Sequence, residues 1–160
     1  MLKRLIKKSE DEKIIQLKEQ ISEILTKKNL TIPSVLKINF SKDNSLMFGV
    51  RPDGTLDINQ SNLNDWANIM HEIGHVFDIQ GGKFGKYSLT PEWQDIILNE
   101  RPDYFNFSKF YGDLEYEGEI DPVVLESILT EAWAEAFEGY TYGTENVSQK
   151  QLEYMQKVLK

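Results

Sequence analysis

Both histidines of this 160-residue chain lie in one short segment, "NIMHEIGHVFDIQGG" (68–82). His71 and His75 are four residues apart, with Glu72 beside the first. Side chains at this spacing share one face of a helix, so both imidazoles can aim at one point. Neutral imidazoles are ordinary zinc ligands, and an adjacent carboxylate can take a proton from the water that zinc acidifies. The spacing predicts a hydrolytic zinc centre with Glu72 as general base; the alternative is an ordinary amphipathic helix with two partly buried histidines.

A catalytic zinc needs a third protein ligand, and a chain with no other histidine and no cysteine must supply a carboxylate. Asp78 follows His75 by three residues. At about 1.5 Å rise per residue it would be roughly 10 Å along the helix axis from His71, too far to share the metal. Asp78 is therefore predicted to support the site by hydrogen-bonding a ligand or packing the helix; the alternative is a solvated acid at the helix end.

A second helix is a better source of the third ligand. The segment "LTEAWAEAFEGY" (129–140) places Glu131 and Glu135 four residues apart, among alanines that permit close packing. Gly74, in the first motif, likewise permits close approach of another element. One of the two carboxylates can bind zinc while the other accepts the remaining N–H of a ligating imidazole. The alternative is a pair of exposed acids on an amphipathic helix.

The elements that would position these groups are predicted from periodicity, turns and caps. Apolar spacing predicts a helix over 9–28, ended by Asn29 and Pro33, and "VLKINF" (35–40) alternates like a strand. "RPDG" predicts a hairpin over 46–60. The motif helix is predicted over 63–80, stopped by the glycines at 81 and 82 and followed by a loop over 81–88. Its candidate N-caps are Ser61, Asn62 and Asn64.

Three more helices are predicted from cap residues, with Thr90, Asp121 and Ser148 as N-caps and proline at the first position of the first two. They end before Pro102, near Gly139 and at Leu159. The chain is predicted to be one mainly helical α+β domain over 1–160, with a small antiparallel sheet beside the motif helix. Its parts are an N-terminal helix (1–33), the sheet (34–60), a zinc-binding core (61–142) and a C-terminal helix (143–160).

Composition limits the partners. The net charge of -8 makes nucleic acid an unexpected partner, and no apolar run approaches the roughly 20 residues of a membrane helix. The start, "MLKRLIKKSEDEK", does not have the pattern of a signal peptide, so either a cytoplasmic protein or a mature secreted fragment is compatible with the sequence. The absence of cysteine excludes disulfides and a thiol nucleophile. We expect a monomer that acts on a protein or peptide.

The two motifs together resemble the anthrax lethal factor protease domain and its relatives, among them the Pro-Pro endopeptidases, which are zinc proteases of the gluzincin type. The matching segments are "HEIGHVFD" and, about 55 residues later, "TEAWAEAFEGY", which follows the family's Glu-x-x-Ala-Glu-Ala-Phe pattern. The resemblance covers roughly 60–142. It implies a zincin-like fold, Glu72 as base, and Asp78 at the place of an acid that follows the family's second histidine. The zinc ligands it implies are His71, His75 and Glu131, with Glu135 as their carboxylate neighbour.

One position departs from the family. A tyrosine seven residues before the third ligand can stabilise the oxyanion in these relatives, but this chain has Val124 there. The nearest tyrosines upstream are Tyr116 and Tyr111, and Tyr111-Gly112 resembles the family's Tyr-Gly step, displaced by an insertion. Either tyrosine is a candidate phenolic donor; the alternative is that both are surface loop residues.

These observations predict a zinc metallopeptidase that hydrolyses peptide bonds. The strand at 56–60 is expected to pair with an extended peptide, and the loop at 81–88 to shape the substrate pocket. Two alternatives belong to other classes. One is a catalytically weak metal-binding adaptor or inhibitory module on a protease scaffold; the other is an intracellular regulatory protease.

Overall fold

A computed structural model describes residues 2–42, 45–102, 121–143 and 147–160. The first helix, α1 (Leu2–Thr26), is longer than predicted because its lysine-, leucine- and glutamate-rich start favours helix. Its second half is anchored by Leu17, Ile21 and Leu25, which are buried. The predicted end is confirmed: Asn29 follows in the left-handed conformation, with φ of 59°. No helix in the described part of the chain is long and apolar enough to cross a membrane.

A three-stranded sheet follows, made of β1 (Lys37–Ser41), β2 (Phe48–Val50) and β3 (Thr55–Asn59). The hairpin of β2 and β3 is confirmed; its turn closes with a hydrogen bond from the Gly54 N–H to the Arg51 carbonyl. The expectation of a purely antiparallel sheet is wrong, because β1 pairs with β3 in parallel. The fully buried Leu56 and Ile58 hold β3 in the middle, so the strand order is β1-β3-β2.

The central place of β3 corrects a second expectation. Both edges of β3 already pair with neighbouring strands, so the backbone of 56–60 has no free edge for an extended peptide. Gln60 itself lies in a 3-10 turn (Gln60–Asn62) that continues from the strand. In the described part of the chain β2 pairs only with β3, and β2 is therefore an edge of the sheet.

The motif helix, α2 (Trp66–Phe77), is shorter than predicted at both ends. None of the expected residues Ser61, Asn62 or Asn64 is its N-cap; Asp65 is, and its side chain accepts a hydrogen bond from the Asn68 N–H. The reason is that residues 60–62 form a separate 3-10 turn, which has Asn59 as its N-cap, so α2 begins only after that turn.

At its other end, α2 does not continue to the two glycines. Asp78 caps the helix, and Gly81-Gly82 form the two-residue turn of a small hairpin, β4 (Ile79–Gln80) and β5 (Lys83–Phe84). Both glycines have positive φ, at 57° and 78°, as the favoured two-residue hairpin turn requires. Part of the predicted loop at 81–88 is therefore a strand.

The remaining helices are α3 (Pro91–Glu100), α4 (Pro122–Tyr142) and α5 (Gln149–Val158). The predicted N-caps Thr90, Asp121 and Ser148 are confirmed. The helix α4 runs past Gly139 and ends at Gly143, which has a left-handed φ of 78°. The fold is thus a mainly helical mixed α+β arrangement with a small sheet. Its largest core side chains, Trp93, Trp133 and Phe137, come from α3 and α4.

Candidate metal centre

The helix α2 has one apolar face in the core and one face toward a cleft. The core face contains Ile69, Met70, Ile73 and Val76, which are at most 1% exposed. His75 is 8% exposed, and His71 is half-buried one turn earlier. Burial of the apolar face fixes the rotation of the helix and therefore the direction of both imidazoles.

Close packing of α4 on α2 brings the second motif to the first. A Cβ at Gly74 would be 2.8 Å from the Cβ of Phe137 and 3.2 Å from the Cα of Ala134. The predicted close approach at Gly74 is therefore confirmed. The indole N–H of Trp133 donates to the Gly74 carbonyl at 2.9 Å, which fixes the register of the two helices.

This packing places the carboxylate of Glu131 against both histidines. Its Oε1 is 2.8 Å from Nε2 of His75, and its Oε2 is 3.2 Å from Nε2 of His71. One ligating atom from each residue lies within 4.8 Å of the other two. The structure thus brings together three of the residues singled out in the sequence, although 56 positions separate His75 from Glu131.

The three groups fit a zinc ion by their chemistry and spacing. Two imidazoles and a carboxylate are a common set of ligands for catalytic zinc, and ligands at about 2.0–2.1 Å on a tetrahedron are roughly 3.3 Å apart. The distances from the two Nε2 atoms to the carboxylate oxygens, 2.8 and 3.2 Å, are shorter than that value, and one ligating atom of each residue lies within 4.8 Å of the others. Nδ1 of His75 is buried and has no hydrogen-bond partner in the described residues.

Glu131 and His71 shift each other's pKa values. Hydrogen bonds with His71 and His75 hold the pKa of Glu131 far below its usual range. Burial alone would lower the pKa of His71, but the hydrogen bond with Glu131 and the charges of Glu131, Glu72 and Glu138 outweigh it and raise that pKa. The carboxylate is therefore ionised at neutral pH, and the imidazole holds its proton more firmly than a free histidine.

Glu72 lies in the same cleft as the ligands. This open cleft has a volume of about 270 Å³ and is lined by Val50, Glu72, His75, Phe84, Thr130 and Glu131. Burial raises the pKa of Glu72, and the two nearby imidazoles oppose that shift only in part. A carboxyl group with a raised pKa can both accept and return a proton near neutral pH.

No protein-family model matches this chain, and no curated protein or solved structure matches it. The assignment of a metal centre therefore depends on the geometry and chemistry of the residues themselves.

Asp78 connects the end of α2 to the segment that follows β5. It is fully buried and accepts hydrogen bonds from the N–H groups of Tyr87 and Ser88, at 2.7 and 2.9 Å, and from the Ser88 hydroxyl. Its own carbonyl accepts from the N–H groups of Gly85 and Lys86. Burial raises the pKa of Asp78 in spite of these bonds. Asp78 thus ties the end of α2 to the segment after β5, and the described hydrogen bonds of its carboxylate go to that segment instead of an imidazole.

The other predicted residues have different outcomes. Glu135 is half-buried on α4, one turn beyond Glu131, and its role beside the ligands stays a prediction. Tyr111 and Tyr116 lie outside the described residues, so the identity of an oxyanion donor also stays a prediction. Val124, at the family's tyrosine position, lies in the first turn of α4.

Glu138 is one of the described residues near the site that the sequence motifs did not single out, as are Val50, Phe84 and Thr130, which line the cleft. Glu138 is 5% exposed, and its charge contributes to the raised pKa of His71. A signal was available, because Glu131, Glu135 and Glu138 are spaced by four and seven residues and so share one helix face.

Proposed function

We propose that this protein is a zinc-dependent metallopeptidase with a lethal factor-like, zincin-like fold. The observation that supports the proposal is the convergence of His71, His75 and Glu131 in one cleft that also contains Glu72. Zinc chemistry requires a cluster of ligands, and hydrolysis requires a base beside it. The packing of α4 on α2 supports the proposal because it offers candidate residues for both roles.

The residues have separate roles in the proposed reaction. His71, His75 and Glu131 would hold the ion. Zinc bound there would polarise the peptide carbonyl and make a nearby water acidic. Glu72 accepts the proton of that water as the water attacks the carbonyl carbon, and then donates it to the departing amine. The raised pKa of Glu72 suits a group that must do both.

The sheet offers a place for the substrate backbone. Since β3 is central, the edge strand β2 replaces it as the proposed partner of an extended peptide. Val50, the last residue of β2, lines the cleft that contains Glu72 and His75. A peptide strand that added to β2 would thus pass beside the reacting groups.

The test is cleavage of a peptide library by zinc-loaded protein, with Glu72→Gln as the inactive variant. We expect the variant to bind as much zinc as the wild type and to lose roughly 10²–10⁴-fold in rate, because only the base is removed. Glu126→Gln is the matched control, since Glu126 is an exposed acid on α4 near Glu131.

Two results would contradict the proposal. A wild-type protein that holds zinc yet cuts no peptide would favour the metal-binding module on a protease scaffold. Cleavage at an unchanged rate by Glu72→Gln would show that the activity arises elsewhere.

A further inference from the structure

The first turns of α1 are not packed on the rest of the fold. The described side chains of residues 2–9 are all exposed, and full burial in the core begins only at Leu17. At about 1.5 Å per residue, Leu5 lies roughly 18 Å along the helix from Leu17. An exposed stretch of helix gains no packing energy, and helices this short are marginal in water by themselves. A surface that covers these turns would therefore stabilise them.

Two large apolar side chains lie on this open stretch. Leu2 is 73% exposed and Leu5 is 63% exposed, and side chains three residues apart share one helix face. With 3.6 residues per turn, Leu5 lies roughly 120° around α1 from Leu17, which faces the core. A flat surface can therefore approach the two leucines from a side of the helix that the core does not occupy.

Four positive charges surround the leucines. Residues 2–9, here called the basic tip of α1, include Lys3, Arg4, Lys7 and Lys8, which are all exposed. None of the four forms an ion pair with another residue that the structure describes. The whole chain has a net charge of -8, so this positive patch belongs to an otherwise acidic protein. Its charge fits an anionic partner.

An anionic bilayer surface fits the basic tip better than a groove in another protein. A helix that docks in a groove uses apolar anchors at i, i+3, i+4 and i+7. Counted from Leu2, the sequence has apolar residues at the first three of these positions but Ser9 at the fourth, and three acidic residues follow at 10–12. So short an apolar face is sufficient for shallow insertion among lipid headgroups, where lysine and arginine on the polar face contact the phosphates.

A second copy of the chain is a poorer partner for the basic tip. It would contribute an equally short apolar face, with two exposed leucines that the structure describes. Two such faces cannot bury the roughly 1,000 Å² that a stable interface between proteins needs. A bilayer has no such minimum, because each inserted side chain and each cation adds to the affinity separately.

The acidic remainder of the chain limits the contact without preventing it. The acids at 10–12 follow the basic tip directly, and an anionic surface repels them, so the contact ends after the first two turns. The packed part of the protein begins farther along the helix. Charges more than about 8 Å away are largely screened at physiological ionic strength, and Leu17 is roughly 18 Å from Leu5.

We propose that the basic tip of α1 docks on an anionic phospholipid surface, with Leu2 and Leu5 inserted among the headgroups and the four cations on the lipid phosphates. The contact is peripheral and requires no helix that crosses the bilayer. It is independent of the proposed peptidase activity, because the tip shares no residue with the candidate metal centre.

The experiment is co-sedimentation of the full chain with vesicles of phosphatidylcholine alone and with vesicles of equimolar phosphatidylcholine and phosphatidylserine, at low and high salt. The charge variant is Lys7→Gln/Lys8→Gln. Its matched control is Lys27→Gln/Lys42→Gln, which removes two exposed lysines outside the tip. A cation near an anionic surface is worth roughly fivefold in affinity, so we expect the charge variant to bind at least about tenfold more weakly.

The apolar half of the proposal is tested with Leu2→Gln/Leu5→Gln. Glutamine preserves helix propensity, so the circular dichroism should not change. Ile15→Gln is the control, since Ile15 is 57% exposed on the same helix but outside the tip. We expect the leucine variant to lose at least about tenfold in affinity for the anionic vesicles and the control to bind as the wild type does.

The wild type should sediment with the phosphatidylserine vesicles, more weakly as salt increases, and not with phosphatidylcholine alone. No sedimentation with the anionic vesicles would overturn the proposal, as would equal losses in the Lys7/Lys8 variant and its control. The molar mass in solution separates the remaining case. A wild-type dimer that Leu2→Gln/Leu5→Gln converts to a monomer would assign the leucines to a second copy and would likewise overturn the membrane contact.

Discussion

At the scale of single residues, Glu131 connects the two helices that form the site. It belongs to a different helix from the histidines, yet its two oxygens contact one imidazole each. A carboxylate in that position contacts Nε2 of both rings, and the same three side chains could hold an ion. The charges of Glu131 and the imidazoles also determine how the affinity for zinc should depend on pH.

We expect zinc binding to weaken steeply below neutral pH. An imidazole must be deprotonated to bind zinc, and His71 has a pKa above its ordinary value of about 6.5. Above that pKa the proton does not compete; below it, affinity should fall by at least about tenfold per pH unit. Glu131, with its lowered pKa, stays ionised and adds no dependence in this range.

The measurement is the dissociation constant for zinc at several pH values between about 8 and 5, by competition with a chromophoric chelator. A constant affinity across that range would mean that no imidazole binds the metal.

At the scale of elements, much could be predicted from the sequence where a local rule applies. Thr90, Asp121 and Ser148 cap their helices because a side chain can satisfy the first N–H groups without help from the rest of the molecule. The hairpin at Gly54 and the helix around His71 could also be predicted because each depends on residues that are close together in the sequence.

The wrong predictions concern features that depend on packing between distant parts of the chain. The parallel pairing of β1 with β3 and the end of α2 at Phe77 depend on contacts between segments that are far apart in the sequence. A local residue pattern does not predict such contacts. The convergence of the three candidate ligands also needed α4 to pack on α2. The sequence favoured this packing through Gly74 and the alanines around Trp133, but could not give the distances.

Gly74→Ala tests the packing of the two helices. An added Cβ would lie 2.8 Å from Phe137 and 3.2 Å from the backbone of Ala134, so α4 must move away. Overpacking costs typically 1–3 kcal/mol, which we expect to exceed the gain of about 1 kcal/mol from replacing a helical glycine. Zinc affinity should fall as well, because Glu131 is one turn from Ala134.

Urea unfolding and zinc titration of the variant check both effects. Gly49→Ala is the matched control, since among the described residues a Cβ there would meet only Leu46 within 4 Å, at an ordinary 3.5 Å. A Gly74→Ala protein that is more stable than the wild type and binds zinc equally well would refute the close-packing account.

At the scale of the whole molecule, the site is built on a core of hydrophobic side chains. Trp93, Trp133 and Tyr154 contact one another between α3, α4 and α5, and both indole N–H groups donate to carbonyl oxygens. The apolar faces of α2 and β3 pack into the same buried cluster. A ligand variant should therefore lose zinc without unfolding, unlike small domains that fold only around their metal.

The most direct measurement is zinc stoichiometry of the purified chain and of Glu131→Gln, with Glu126→Gln as the exposed control on the same helix. We expect one tightly bound zinc per chain in the wild type and the control. Glu131→Gln should keep its helical circular dichroism and lose zinc affinity by at least about tenfold, since a neutral amide replaces an ionised ligand. Equal zinc binding by Glu131→Gln and the wild type, or no stoichiometric zinc in either, would contradict a metal centre shared by α2 and α4.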